Sequence, residues 1–466
     1  MKAEKINVDR ILIFFLLAHL IIWTLVPSIT NINLPLDTIE ALAWGNNLDW
    51  GYNKHPPLSA WSVEFFYKIF GSQDWSYYFL SQLYVVTTFF VIFKFSEDFL
   101  QNKILSLICI LLLEGIFFYN FTTPEFNVNV CQLPFWALTV YYCWKGLKQN
   151  DITSWLLFGL FAGLGILSKY LFIYLLIALD IFFIYLIIKK KFNFKCLVSL
   201  ISFFVVLAPH IVWLVDNEYT TIVYALERTE TQNINFLFAH LLQPLIFLAK
   251  QLGILLPFFV LLFFVISKLK IKIKYRDKKL IFLFTITIVP LILTFLTSLI
   301  LGIKIRTMWM TPFYLFLGVL LLYIFKKNIT FKKFKIFFSI FFILFIFSPM
   351  TYSYISIAET EKRTDYNGKK IAEIIQKKWE DNFIGEIGLV SGDEWYAGNL
   401  SYHLKSRPKW DNIEEENKTV LLKDIKGGFV IILGKKNDDL DALLKICSGI
   451  FFKVENHGVC MIGKKK

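Results

Sequence analysis

Residues 11–27 read ILIFFLLAHLIIWTLVP, and a polar segment with Asp37, Glu40 and the run WGYNKHPP at 50–57 comes soon after them. An apolar run of this length belongs to a helix that can cross a bilayer. Charged groups close to hydrocarbon are costly and are usually retained for function. The sequence therefore predicts a membrane protein with a functional site at the membrane surface, in the loop at about residues 30–75.

The composition of the whole chain supports this prediction. Its 466 residues are 56% hydrophobic and 18% aromatic, with a mean hydropathy of +0.56. These values lie outside the usual range of soluble domains and predict a polytopic α-helical membrane protein. The first apolar run is expected to be retained as a span, because no clear cleavage site follows it. We predict about eleven spans, at residues 11–29, 76–93, 104–120, 131–147, 153–168, 171–188, 196–214, 253–267, 280–300, 309–325 and 335–353.

Two other apolar segments differ from these spans. Residues 63–70 are apolar and aromatic but carry Glu64 and Lys68, which is typical of a helix lying along the membrane interface. Residues 236–251 are apolar enough to enter the membrane as a re-entrant or interfacial helix, and the sequence leaves them unassigned.

The formal net charge of +13 is interpreted as a topological signal, and no nucleic-acid partner is expected. Basic residues concentrate in alternate loops, for example at 189–195, 268–279 and 326–335. Loops of this kind stay on the cytoplasmic side. With the amino terminus inside, the loop that carries Asp37 faces outward. The predicted location is the bacterial inner membrane, with the site on the periplasmic side.

From about residue 354 the chain becomes more charged, and short apolar runs alternate with amphipathic patterns. We therefore expect a transmembrane domain over residues 1–353 and a small soluble periplasmic α/β domain over 354–466. Strands are predicted at 385–391, 428–433 and 450–454, and helices at 369–378 and 438–446.

The chain has six cysteines. Cys447 and Cys460 lie in the tail, where an oxidising compartment would permit a disulfide, and the sequence leaves their pairing open. The other four fall in or beside predicted spans, where a small apolar role is expected; they are Cys109, Cys131, Cys143 and Cys196.

Asp37 and Glu40 are three residues apart, so on a helical turn they share one face and can contact one ligand. A partly desolvated carboxylate has a raised pKa and can act as a general base on an acceptor hydroxyl. The alternative is a pair of ordinary loop acids that cap a helix. His55 precedes two prolines that restrict its backbone, and both a functional and a purely structural imidazole fit this pattern.

Cations on the outer face oppose the topological rule. Lys169 lies at a tight outer hairpin, and Arg306 precedes a predicted span. A lipid phosphate or diphosphate is a natural ligand for them, since arginine can bind it through two hydrogen bonds; snorkelling to headgroups is the alternative. The loop TTPEFNVN at 122–129 supplies Glu125 and Asn127, which can hydrogen-bond a sugar, although a short loop between spans must be polar in any case.

Taken in order, these residues resemble the protein mannosyltransferase-like, or GT-C, membrane glycosyltransferases, especially the bacterial branch that includes the aminoarabinose transferase of lipid A. The resemblance covers roughly residues 10–325 and is specific as an ordered set. It rests on DTIEALAWG at 37–45, LDWGYNKHPPL at 48–58, Trp61, TPEFN at 123–127, GLGILSKY at 163–170, Pro209, His210, Trp213, Arg306, Trp309 and Pro312.

This chain departs from the family at one site residue. The family pattern has two adjacent acids, whereas here Asp37 is followed by Thr38 and the next acid is Glu40. The role of a second carboxylate is therefore open. In the tail, SGDEWYAGNL at 391–400 also resembles a segment found after the spans in some bacterial members, and the resemblance implies no function for it.

The resemblance implies an inverting glycosyltransferase that depends on a polyprenyl-phosphate-linked sugar donor. The acceptor would be lipid A, lipopolysaccharide or a protein. Asp37 would be the catalytic base, with Glu40 and His55 as further catalytic residues. No cofactor is predicted, because the donor arrives activated on its lipid. A divalent cation near the carboxylates and the phosphate is conceivable but is not predicted. The predicted substrate-binding residues are Lys54, Glu125, Asn127, Lys169, Tyr170, Arg306 and Trp309.

Two other classes were weighed against the enzyme. A transporter or flippase for a lipid-linked solute would place ionisable residues near mid-membrane and often shows repeated halves. Here only Asp180 is expected at mid-span, and the sequence has no visible repeat. A non-catalytic scaffold would explain the spans but not the ordered polar clusters.

Overall fold

The structure, a computed structural model, describes residues 7–229, 235–268, 276–330, 332–411, 427–433 and 447–466. A bundle of α-helices is followed by a small mixed sheet. The helices before residue 230 are α1 (Val8–Thr30), α2 (Leu36–Gly45), α3 (Leu58–Phe70), α4 (Asp74–Leu100), α5 (Lys103–Leu113), α6 (Val128–Cys131), α7 (Leu133–Gln149), α8 (Ile152–Ser168), α9 (Ile173–Ile188), α10 (Val198–Asp216) and α11 (Thr220–Glu227).

The later helices are α12 (Gln243–Val265), α13 (Lys278–Leu301), α14 (Leu317–Ile324), α15 (Phe334–Ala358), α16 (Gly368–Asn382) and α17 (Glu394–His403). The strands are β1 (Ile387–Ser391), β2 (Lys409–Asp411), β3 (Gly428–Leu433), β4 (Ile450–Val454) and β5 (His457–Ile462). Short 3₁₀ segments span Phe117–Tyr119, Tyr170–Phe172, Phe194–Leu197, Thr307–Tyr314, Lys326–Asn328 and Arg363–Asp365, and a π-helical turn spans Phe238–Leu242.

Several helices of the bundle begin at side chains that cap them. Asn102 accepts hydrogen bonds from the first free backbone N–H groups of α5, Asp151 does so for α8, and Asp277 for α13. Such caps satisfy donors that have no partner within the helix. After these caps the helices are almost continuously apolar. Such side chains suit a lipid environment, which offers no hydrogen-bond partners to polar groups.

The chain is a multi-pass membrane protein, as predicted. Among the described residues, seven helices are long and apolar enough to cross a membrane, or eight if the pair Thr307–Tyr314 and α14, bent by 49°, forms one span. The seven are Val8–Thr30, Asp74–Leu100, Tyr170–Ile188, Phe194–Asp216, Phe238–Val265, Lys278–Leu301 and Phe334–Ala358.

Some predicted spans differ from the helices observed. Those at 104–120, 131–147 and 153–168 correspond to the shorter helices α5, α7 and α8, so the total number of crossings stays a prediction. Residues 236–251, which the sequence left unassigned, fall largely within the 28-residue helix Phe238–Val265.

In the described residues of the tail, five strands form a sheet in the order β2-β1-β3-β5-β4. β1 lies parallel to β2 and β3, whereas β5 is antiparallel to β3 and β4. The three predicted strands match β1, β3 and β4, and the predicted helix at 369–378 lies within α16. The predicted helix at 438–446 lies outside the described residues. Cys447 and Cys460 form a disulfide.

α2 lies between the bundle and the tail. Ile39 and Leu42 belong to the large apolar core of the bundle, whereas Ala43 and Trp44 belong to a core shared with α16, α17 and the sheet. The contact with α17 is close at Gly398, where an added Cβ would lie 3.1 Å from Ile39 Cγ2 and 3.3 Å from Ala43 Cβ. The helix that carries Asp37 and Glu40 is therefore fixed from both sides.

Candidate active site

Asp37 lies in the first turn of α2, against the loop that precedes α6. The backbone N–H of Asp37 donates to Glu125 Oε1 at 3.1 Å, and the Thr38 hydroxyl donates to the carbonyl of Phe126 at 3.1 Å. Glu125 thus satisfies a backbone donor at the start of α2 that has no partner within the helix. Two predicted site residues that are far apart in sequence meet here.

Burial raises the pKa of both carboxyls. The pKa of Asp37 is raised by burial, which the charges of Lys169, Lys54 and Arg228 oppose. The pKa of Glu125 is raised to about 8, first by burial and then by the neighbouring charge of Asp37. With a pKa of about 8, Glu125 keeps its proton at neutral pH, whereas the nearby cations favour the charged form of Asp37.

Glu40 is held by a lysine that it shares with the tail. Lys54 Nζ lies 3.1 Å from Glu40 Oε1 and also forms an ion pair with Glu394, the first residue of α17. Burial raises the pKa of Glu40 to about 7, and the charges of Glu394 and Asp37 add to this. Within the described ranges, no group of three or more His, Cys, Asp or Glu side chains is arranged to hold a metal ion.

His55 lies beside this cluster as a neutral imidazole. Its ring meets those of Trp44 and Tyr224 edge-on, with centroids 5.9 and 6.4 Å away. The pKa of His55 is lowered to about 3, first by burial and then by the charges of nearby cations, foremost Lys169. Its carbonyl accepts a hydrogen bond from the Tyr52 N–H at 3.1 Å. Because the imidazole is neutral at neutral pH, it carries no positive charge to stabilise an anion. Its ring contacts indicate that His55 holds the loop in place.

Lys169 is the buried cation of the site. It follows α8 directly, is 7% exposed, and donates to the Asn129 side chain. Its ammonium lies 5.3 Å from the centre of the Trp309 ring. Burial lowers the pKa of Lys169 to about 7, an effect that Asp37 opposes and the positive charge of Arg306 reinforces. In the part of the chain that the structure describes, no carboxylate pairs directly with Lys169 or Arg306.

Asn127 and Tyr170 support the site from two sides. The Asn127 side chain caps α6 and also lowers the pKa of Asp37 and Glu125 by hydrogen bonding. Tyr170 OH lies 2.8 Å from His210 Nε2, and His210 Nδ1 lies 2.6 Å from the carbonyl oxygen of Trp50. Since that carbonyl can only accept, Nδ1 carries the proton and Tyr170 donates to Nε2. This chain of bonds ties α10 to the polar loop.

The structure brings several of the predicted residues into contact: Asp37 with Glu125, Glu40 with Lys54, and Lys169 with Trp309. Arg306 acts on this region through its charge, which lowers the pKa of Lys169 further after burial. Sequence reasoning missed two contributors. Glu394 lies in the tail segment at 391–400, whose resemblance was recognised without a function. Arg228 is a cation whose charge influences Asp37 and His55; the sequence places it in one of the less basic loops but assigns it no role.

The chain is similar to known proteins in part of its sequence and in its fold. The sequence model of the dolichyl-phosphate-mannose-protein mannosyltransferase family matches residues 54–213. No relative was found among curated proteins. The crystal structure of ArnT from Cupriavidus metallidurans bound to undecaprenyl phosphate is similar, with a TM-score of 0.65 at 12% identity, covering 96% of this chain and 97% of that one.

The apo state of the same ArnT gives a TM-score of 0.61, also at 12% identity and with coverage of 96% and 97%. The oligosaccharyltransferase AglB from Archaeoglobus fulgidus matches more weakly, with a TM-score of 0.42 at 10% identity, covering 90% of this chain and 69% of that one. The expected resemblance is confirmed: residues 54–213 match the mannosyltransferase family, and the chain has the fold of ArnT along nearly its whole length.

Proposed function

We propose that this protein is a GT-C membrane glycosyltransferase that moves a sugar from a polyprenyl-phosphate donor to an envelope acceptor. One observation carries the proposal: Asp37 and the buried Lys169 are bound to the same short segment, Asp37 through its N–H to Glu125 and Lys169 through its ammonium to Asn129. Such a cluster offers a base for an acceptor and a cation for a departing phosphate. The ArnT structure with undecaprenyl phosphate supports a lipid-phosphate donor for a chain of this fold.

The proposed reaction is a single displacement. Asp37 accepts the proton of an acceptor hydroxyl, whose oxygen attacks the anomeric carbon of the sugar. The bond between that carbon and the phosphate oxygen breaks, and the polyprenyl phosphate leaves with the electron pair. Lys169 and Arg306 stabilise the charge that develops on the phosphate, as fixed charges do in a site shielded from water. One displacement inverts the anomeric configuration.

The other residues of the cluster have supporting roles in this proposal. Glu125, protonated beside Asp37, can donate a hydrogen bond to the sugar or the acceptor. Glu40 and Lys54 line the same side, and Tyr170 and Trp309 shape the site around the donor. His55 holds the loop against Trp44.

We further propose that the site and the tail face the periplasm, and that the chain divides near residue 353 into a transmembrane domain and a periplasmic domain. Lipid A or lipopolysaccharide is the favoured acceptor, because the fold resembles ArnT and the sequence resembles the bacterial branch of the family. A protein acceptor is the alternative within the same class.

The test is mass spectrometry of lipid A and core lipopolysaccharide from a deletion strain complemented with wild type, Asp37→Asn or Asp49→Asn. We expect the deletion to remove one glycosyl mass and wild type to restore it. Asp37→Asn should lower transfer by about 10²-fold or more, since a general base contributes this much.

Asp49→Asn is a matched control in the same loop. Its exposed carboxylate accepts only a local bond, from the Trp50 N–H at 2.7 Å, so near-normal transfer is expected. Unchanged glycolipids in the deletion strain would refute the lipopolysaccharide assignment and direct the search to glycoproteins. Full restoration by Asp37→Asn would refute the role of Asp37.

A further inference from the structure

We propose that Glu394, at the start of α17, is a positioning residue of the transfer reaction that fixes the Lys54 ammonium beside Glu40. This inference rests on the proposed function and adds the tail to the site. Neither the family match, which ends at residue 213, nor the sequence pattern assigns a role to Glu394.

The two oxygens of Glu394 are bound by consecutive residues of the polar loop. Asn53 Nδ2 donates to Glu394 Oε1 at 3.2 Å, and Lys54 Nζ donates to Glu394 Oε2. The same ammonium lies 3.1 Å from Glu40 Oε1 and 6.0 Å from the centre of the Trp44 ring. Lys54 is thus held by a carboxylate on each side, one from α2 and one from the tail.

Glu394 can hold this position because its own surroundings are rigid. The Glu394 residue is 9% exposed. The preceding residue, Asp393, caps the start of α17, because its carboxylate accepts a hydrogen bond from the Trp395 N–H at 2.9 Å. On the same helix, Asn399 accepts a hydrogen bond from Asn33 at 2.9 Å. Because α17 also packs closely on α2, the distance from Glu394 to the loop is fixed by the fold.

The location of the Lys54 ammonium matters for the proposed chemistry. Its positive charge favours the ionised forms of both Asp37 and Glu40. A lysine side chain is long and flexible, so an unrestrained ammonium would spend much of its time in water. The second carboxylate keeps the charge beside α2, where the base must stay ionised.

The contact can be tested without any substrate. The purified full-length protein in lipid nanodiscs is treated with an amine acetylating reagent, and the modified Lys54 peptide is quantified by mass spectrometry. We expect Glu394→Gln to raise the rate of Lys54 labelling by about tenfold, the equivalent of one hydrogen bond between charged groups. Thermal melting of each variant confirms that the labelled protein is folded.

Glu380→Gln is the matched control. It removes an exposed carboxylate of the tail that pairs with Lys405 at 2.9 Å. This variant should leave Lys54 labelling unchanged. Equal Lys54 labelling in wild type and Glu394→Gln would overturn the proposal.

The positioning role is tested by a double-mutant cycle with Glu394→Gln and Lys54→Met, using sugar transfer in the complemented deletion strain. If Glu394 acts through Lys54, Glu394→Gln should reduce transfer by about tenfold alone but less than about twofold beside Lys54→Met, because coupled residues are not additive. Additive effects would overturn the proposal, even if labelling rises. If labelling rises but wild type modifies no envelope acceptor, the contact stands while the proposed function, and any role of Glu394 in it, fails.

Discussion

The charge of Lys169 depends on pH in the physiological range, because the side chain is buried. A lysine in water keeps its proton at any physiological pH, but burial lowers the pKa of Lys169 to about 7. The ammonium is therefore present below about pH 7 and is lost as the pH rises above it. In the proposed reaction this removes a charge that the departing phosphate needs.

We predict that the rate of transfer at low substrate, measured against pH, falls on the basic side with a midpoint near 7. Lys169→Arg should move this fall to much higher pH, because a guanidinium stays protonated in proteins. Lys169→Met should be poorly active at every pH. A basic limb that is identical in wild type and Lys169→Arg would show that another group titrates.

Several residues of the candidate site could be proposed from the sequence. Asp37, Lys169 and Arg306 are charged residues next to apolar runs, and their position alone indicates function. Glu394 could not be predicted in the same way. It is 340 residues from Lys54 along the chain, and the resemblance of its segment at 391–400 to one in bacterial members implies no function for it.

At the scale of elements, the segment after α17 holds the other end of α2. Arg407 donates to the carbonyl oxygen of Leu42 at 2.6 Å and pairs with Glu64 at 3.0 Å. Its guanidinium also lies 4.2 Å from the centre of the Tyr67 ring. The Arg407 side chain thus contacts both α2 and α3 and links them to the tail.

We predict that Arg407→Ala lowers the free energy of unfolding by about 3–5 kcal/mol, because it leaves the Glu64 carboxylate buried without a partner. The Glu64 side chain is only 6% exposed. Thermal and denaturant unfolding in detergent would measure the loss. Lys405→Ala, which breaks the exposed pair with Glu380, should have little effect.

The double variant Arg407→Met with Glu64→Leu provides the complementary result. It removes both charges and keeps most of the volume, so it should be more stable than Arg407→Ala. A double variant that is less stable than Arg407→Ala would contradict the account of an uncompensated charge.

The long apolar helices could be predicted from hydropathy, whereas the short and bent ones could not. α5 ends at Leu113 although the apolar run continues, because the next residue, Glu114, binds His19 at 2.7 Å. The Asn120 side chain also folds back to the carbonyl of Glu114 at 3.0 Å. Tertiary contacts of this kind leave no periodic signal, so they shorten elements that a hydropathy window extends.

For the whole molecule, the Cys447–Cys460 disulfide provides a test of orientation. Disulfides persist in oxidising compartments and are rare in the cytosol. If the tail is periplasmic, as proposed, the Cys447 and Cys460 thiols should be oxidised in the cell. The four remaining cysteines are buried, so a thiol reagent should not reach them in the folded protein.

We predict that a membrane-impermeant maleimide labels the protein in spheroplasts only after an impermeant reductant has been added. The label should disappear in the variant Cys447→Ser with Cys460→Ser, which is the control. Labelling without reductant, or labelling only after the membrane is broken, would contradict the proposed orientation.

The composition of the sequence predicts that the tail is a separate unit, but it does not predict how the tail packs against the spans. The change in composition near residue 354 predicted a separate soluble unit, and the tail does form its own sheet. Composition cannot indicate that Ala43 and Trp44 of α2 complete the core of that unit. Shared cores depend on contacts distant in sequence, which a single chain does not reveal.

The lysine that α2 and α17 share has a consequence for protein engineering. A chimaera that joins these spans to the tail of a related enzyme would bring a different side chain to Lys54 unless residue 394 were matched. Conversely, a graft of residues 53–55 without α17 would carry an ammonium into a host that cannot hold it. The two halves are therefore expected to be exchangeable only as a pair.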